Sequence, residues 1–154
     1  DVIDSEEPCL RGMIEQYNRT GGSVLAVERV DASRVDRYGI VTLGDQGNEI
    51  AGIVEKPSVE DAPSNLGVIG RYILTGDVFE RLRTLAPGAG GEIQLTDAIA
   101  CLIDTELVTA YEFDGVRYDC GSKQGFFQAT LAYAKKQPEL KQVLRDFYNK
   151  EMLP

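Results

Sequence analysis

Glu55 and Lys56, adjacent and of opposite charge, sit where an apolar run meets Pro57, and they set out the chemistry this chain could do. A carboxylate can accept hydrogen bonds from two neighbouring hydroxyls, and an ammonium is a compact charge suited to a phosphate oxygen. Together they suit a phosphorylated polyol. Neighbours in a strand face opposite ways, so both reach one ligand only where the strand ends, and proline cannot donate to a ladder. On spacing alone, an exposed Glu-Lys-Pro at a strand exit is usually a solvated loop. The chain has no histidine, which removes Ser-His and Cys-His nucleophile schemes and His-ligated metals together. Carboxylates, lysines, arginines, tyrosines and backbone amides remain, a set suited to metal-assisted phosphoryl chemistry.

The elements that must position this pair follow from periodicity. Ile50 to Glu55 reads as a strand stopped at Pro57, and Leu66 to Leu74 returns with Gly67 and Gly70, which admit close approach of a backbone or ligand. Tyr38 to Leu43 and Glu49 to Glu55 flank the turn formers 44–48 and predict a hairpin leading into Glu55. Ser23 to Val30 predicts a strand buried on both faces through Val24 to Val27. Leu10, Met13, Ile14 and Tyr17 recur at helical spacing before Gly21-Gly22, a core-packing stripe. Asp77 is the expected N-cap of a helix carrying Val78, Leu82 and Leu85 and ended by Pro87. The run 88–91 lacks the G-x-x-x-x-G-K pattern and reads as a loop, after which Leu95, Ile99 and Leu102 mark another helix.

Further on, Leu107 to Phe113 and Val116 to Cys120 read as strands broken by Asp114-Gly115, a hairpin signal. Phe127, Leu131 and Ala134 define a helix, and Leu140, Val143, Leu144 and Phe147 another after Pro138. Such a terminal pair serves either as a cap on a core or as a subunit contact. Helices alternating with strands predict a mixed α/β sheet.

At 154 residues and 43% apolar, the chain suffices for one domain with a real core. A net charge of −9 argues against nucleic acid or an anionic membrane as partner, while leaving room for a nucleotide held by one or two placed cations and a metal. Three cysteines, at 9, 101 and 120, show no paired or zinc spacing, and without histidine to activate it Cys120 reads as a small packed residue. With no signal peptide and no long apolar run, a cytoplasmic protein is the expectation.

A longer pattern is more specific. VEKP at 54–57 and APSNLGVIGRYIL at 62–74, with RYGIV at 37–41, PGAGGEIQLTDAI at 87–99 and YDCGSK at 118–123, resembles the bacterial UTP–glucose-1-phosphate uridylyltransferases of the sugar nucleotidyltransferase superfamily, in order and approximate spacing. The resemblance implies the carboxyl-side half of a Rossmann-like nucleotide-diphospho-sugar transferase fold. Residues 1–121 would form the sugar-phosphate and metal part, and 122–154 the C-terminal helices with an oligomer contact. It implies that Asp1 and Asp119 hold Mg²⁺, that Lys56 holds the phosphate of glucose 1-phosphate, and that Glu55 with the backbone at Gly39 and Val68 grips the sugar, with Tyr72 beside it. The catalytic set would thus be Lys56, Asp1 and Asp119. The family's G-x-G-T-R-x-x-P-x-T-K triphosphate loop does not occur in these residues. The chain is therefore expected to need an N-terminal half or other subunits as partner, to use UTP and UDP-glucose, and to be inactive alone. A non-catalytic sugar-phosphate or nucleotide-sugar binding module, an oligomerisation or structural module using an exposed sheet edge, and a thymidylyl- or other sugar-1-phosphate transferase stay open as alternatives.

Overall fold

The computed structural model describes residues 1–45, 47–88 and 91–151. It divides into two compact units, Glu7–Asp114 and the pair of segments Asp1–Glu6 with Gly115–Pro154.

The larger unit is a five-stranded mixed sheet with helices. Its strands are β2 (Ser23–Arg29), β3 (Gly39–Leu43), β4 (Ile50–Glu55), β5 (Leu66–Ile73) and β6 (Val108–Glu112), in the order β4-β3-β5-β2-β6. Only the β2–β6 pairing is parallel. Val24 to Val27 are at most 1% exposed, so the central strand is buried on both faces as its unbroken apolar run requires. The β3–β4 hairpin forms as expected, with Gly39 opposite Glu55 and Val41 opposite Ile53. One sheet face carries Leu25, Val27, Val41 and Val68 against α3 (Leu95–Ile103) through Ala98, Ile99 and Leu102, and α2 (Asp77–Thr84) adds Val78. Asp77 is the first residue of α2 rather than its cap, because Gly76 holds the cap position and no side chain bonds there.

Helix α1 (Cys9–Thr20) stops at left-handed Gly21, whose N–H donates to the Tyr17 carbonyl at 2.7 Å. Its buried stripe is Cys9, Gly12, Met13 and Gln16, whereas Leu10 and Ile14 are exposed. Of the apolar stripe expected from sequence, only Met13 is fully buried. The reason is polar: Gln16 is buried because its amide donates to Thr109 Oγ1 at 2.7 Å and to the Ala110 carbonyl at 3.1 Å. Burial also raises the Cys9 thiol pKa, opposed by the Arg71 charge. All three cysteines are free thiols.

The smaller unit holds β1 (Val2–Asp4) paired antiparallel with β7 (Val116–Tyr118), then α4 (Lys123–Ala134) and α5 (Pro138–Glu151). The hairpin expected about Asp114-Gly115 does not form, since β6 pairs with β2 and β7 with β1. A turn dipeptide permits reversal, but the partner strand is chosen by non-local pairing. Ser122 caps α4 by accepting the Gly125 N–H at 3.0 Å, and Lys136 forms an ion pair with Asp4.

Candidate sugar-phosphate site and acidic pair

Glu55 is the last residue of β4, and the turn beyond it is unusual. Lys56 has φ 45°, the one non-glycine residue with positive φ among those described. Its N–H still donates to the Tyr38 carbonyl at 2.9 Å, so the chain leaves the ladder in a left-handed step. That step answers the geometric problem of two adjacent residues serving one ligand. Instead of pointing to opposite faces, the side chains lie together, with Lys56 Nζ 3.4 Å from Glu55 Oε1. A lysine held at positive φ costs free energy that a solvated loop has no reason to retain.

Across the sheet from Glu55 stands Gly39, and a Cβ added there would lie 3.2 Å from Glu55 Oε2 and 3.8 Å from Thr96 Oγ1. The absence of a side chain leaves the carboxylate room. The β3–β5 pairing runs over Val41↔Leu66 and Ile40↔Gly67, so one further step sets Gly39 opposite Val68. Glu55, Gly39 and Val68 thus form one row across three adjacent strands. The three residues expected to grip a sugar are brought into register by the sheet itself.

Tyr72 lies farther along β5, past a bulge. Gly70 has φ 70°, and the β2–β5 register shifts between Leu25 and Val27, so the bulge re-aims the residues that follow. Tyr72 pairs with Leu25. Burial raises its phenol pKa above the ordinary value, and the Glu55 charge raises it further. Gly67 serves packing, since an added Cβ would meet Tyr38 at 3.2 Å and Val30 at 3.0 Å.

Thr96, in the first turn of α3, was assigned no role by the sequence reading. Its hydroxyl donates to Glu55 Oε2 at 2.7 Å. The residue lies inside the Q-L-T-D run of the 87–99 motif, whose Leu95 begins the apolar stripe of α3. Residues 89 and 90 of the preceding loop lie outside the described residues.

Asp1 and Asp119 belong to the smaller unit. The β1–β7 register pairs Val2 with Tyr118, so one step outward sets Asp1 opposite Asp119 at the end of the ladder. Asp1 Oδ2 accepts from Arg117 Nη1 at 3.1 Å, and the Arg117 side chain is only 8% exposed. Asp119 Oδ1 accepts the Gly121 N–H at 3.0 Å while its carbonyl takes the Ser122 N–H at 3.2 Å, a turn that launches α4. Among the described residues no group of three or more acidic or cysteine side chains converges as a complete metal cage. Two aspartates at one strand-pair end fit Mg²⁺, which takes one or two carboxylates and completes its shell with waters and substrate phosphates. A cation there would share Asp1 with Arg117.

The chain belongs to the nucleotidyl transferase family, whose profile matches residues 6–136. It is 46% identical over 153 residues to UTP–glucose-1-phosphate uridylyltransferase 2 of Staphylococcus saprophyticus, covering 97% of this chain and 53% of that protein. It is 43% identical over 150 residues to the UTP–glucose-1-phosphate uridylyltransferase of Staphylococcus epidermidis, with 96% and 52% covered. Among solved structures it is similar to a UDP-glucose pyrophosphorylase complexed with UDP-glucose, at TM-score 0.81 and 43% identity over 88% of this chain and 53% of that one. It is also similar to the UTP-bound enzyme of Acinetobacter baumannii, at TM-score 0.83 and 38% identity over 97% and 53%. The chain spans about half the length of the curated relatives it matches. A putative glucose-1-phosphate thymidylyltransferase of Bacillus anthracis, at 23% identity and TM-score 0.68, shares the fold.

Proposed function

We propose that the chain supplies the sugar-phosphate and metal-binding part of a UTP–glucose-1-phosphate uridylyltransferase, which forms UDP-glucose and pyrophosphate from UTP and glucose 1-phosphate. The observation that carries the reading is the left-handed Lys56 beside a Glu55 carboxylate already in register with Gly39 and Val68. Relatives at 43% to 46% identity support uridine over thymidine as the base.

In this reading Lys56 donates a charge-assisted hydrogen bond to the phosphate of glucose 1-phosphate. Glu55 accepts from adjacent sugar hydroxyls, Gly39 and Val68 contribute backbone groups, and Tyr72 closes the flank. Held so, a sugar-phosphate oxygen attacks the α-phosphorus of UTP, the bond to the β-phosphate oxygen breaks, and pyrophosphate leaves. The protein's work is positioning and charge neutralisation. Mg²⁺ bound by Asp1 and Asp119 would offset the charge of the reacting phosphates. No described helix is long and apolar enough to cross a membrane, and the reading places the enzyme in the cytoplasm with its nucleotide substrate.

Residues 1–121 carry these groups in the proposal, and 122–154 form a contact with a second copy. Helix α5 has no buried residue and exposes Leu140, Val143 and Phe147, an apolar stripe that would suit such a contact.

A pyrophosphate-release assay tests the reading. The 154 residues alone should give no turnover, and addition of a polypeptide bearing the G-x-G-T-R-x-x-P-x-T-K loop of a relative should restore it. Turnover by the chain alone near ordinary enzymatic rates of about 1–10³ s⁻¹ would overturn the need for a partner. Glucose 1-phosphate binding without turnover in the mixture would leave a binding module.

A further inference from the structure

We infer that Thr96 is a positioning residue for sugar recognition, acting through Glu55; the inference rests on the proposed role of Glu55 as the acceptor of sugar hydroxyls. Glu55 is partly buried and its side chain has three rotatable bonds, so recognition of adjacent hydroxyls requires something to fix its carboxylate. That carboxylate accepts a hydrogen bond from Thr96 Oγ1, at 2.7 Å to Oε2.

Thr96 stands on a rigid support. Two to six residues later, Ala98, Ile99 and Leu102 are at most 1% exposed and lock α3 onto the sheet. The first turn of that helix also favours a nearby negative charge, so the carboxylate is drawn to the place where the hydroxyl can hold it. Gly39 bounds the other side, since a Cβ there would crowd Oε2 at 3.2 Å. One acceptor site of Oε2 is spent on Thr96, and Lys56 stands at 3.4 Å from Oε1. The remaining acceptor directions of the carboxylate are then fixed in space. A hexose whose hydroxyls match them is preferred over its epimers, because an unmatched hydroxyl is left without its partner.

The test is calorimetric titration of the chain with glucose 1-phosphate, galactose 1-phosphate and inorganic phosphate, using Thr96→Val, which keeps shape and deletes the hydroxyl, and Thr96→Ser, which keeps the hydroxyl. Thr96→Val should weaken glucose 1-phosphate by roughly tenfold, equivalent to about 1.4 kcal/mol, and narrow its preference over galactose 1-phosphate. Inorganic phosphate, which meets Lys56 alone, should change by less than about twofold, and Thr96→Ser should restore both affinity and preference. If the valine variant does not fold, Thr96→Ala, which only deletes atoms, carries the same comparison. A Thr96 variant without the hydroxyl that binds and discriminates like the wild type overturns the inference, as does a serine variant no better than valine. Failure of the underlying reading looks different: the wild type would bind glucose 1-phosphate no better than inorganic phosphate, and Glu55→Gln would change neither.

Discussion

Replacing Lys56 by glycine and by alanine separates backbone strain from ligand binding at one position. At φ 45° the Cβ of an L-residue lies in the left-handed region, at a cost of about 1–2 kcal/mol. Alanine keeps that Cβ and that cost. Glycine is released from it but gives back about 0.5–1 kcal/mol through the greater freedom of its unfolded chain. Both variants lose the ion pair with Glu55, whose partners have side chains 62% and 31% exposed, so solvent screening keeps its worth at about 0–1 kcal/mol. Because that loss is common, the glycine variant should exceed alanine in stability by about 0.5–1 kcal/mol, roughly 1–4 °C in Tm for a chain of this size. Both should lose about 1.5–3 kcal/mol of binding to glucose 1-phosphate, roughly ten- to hundredfold. Thermal unfolding and calorimetric titration read the two quantities. Alanine as stable as glycine would refute the strain, and undiminished binding in either variant would return Lys56 to the role of a solvated loop residue.

Gly39→Ala places a Cβ 3.2 Å from Glu55 Oε2, so glucose 1-phosphate should bind several-fold less tightly, about 1 kcal/mol, with inorganic phosphate unchanged in the same titration. Burial first and the Glu55 charge second raise the Tyr72 phenol pKa above its ordinary value, so the folded chain binds that proton more tightly than the unfolded chain. Its contribution to stability is fully present below pH 10 and is lost as pH rises through the folded value; Glu55→Gln should lower the Tyr72 midpoint, read from phenolate absorbance, and an unmoved midpoint would separate the two residues. Asp119→Asn keeps the turn acceptor while removing charge, so in the reconstituted enzyme it should raise the Mg²⁺ concentration needed for half-maximal turnover by about tenfold. An unchanged Mg²⁺ requirement would exclude Asp119 as a ligand.

The local rules determined a good deal from sequence alone. Pro57 ends β4 after Glu55, the turn formers 44–48 join β3 to β4, and the unbroken apolar run Val24 to Val27 demands a strand covered on both faces. These features depend on residues a few positions apart, where propensity and periodicity act directly. Glu55 and Lys56 were legible as a chemical pair for the same reason. What only the tertiary structure decided depends on contacts between distant segments. The left-handed Lys56 that lets adjacent side chains cooperate, the β6 and β7 strands that take separate partners across a turn signal, and the rotation of α1 toward Gln16 all follow from pairing and packing outside their own windows. Thr96 is the clearest case, since its hydrogen bond to Glu55 spans 41 positions of sequence. A threonine in a helical stretch carries no mark of its target, and only the docking of α3 on the sheet through Ile99 and Leu102 brings the hydroxyl to the carboxylate.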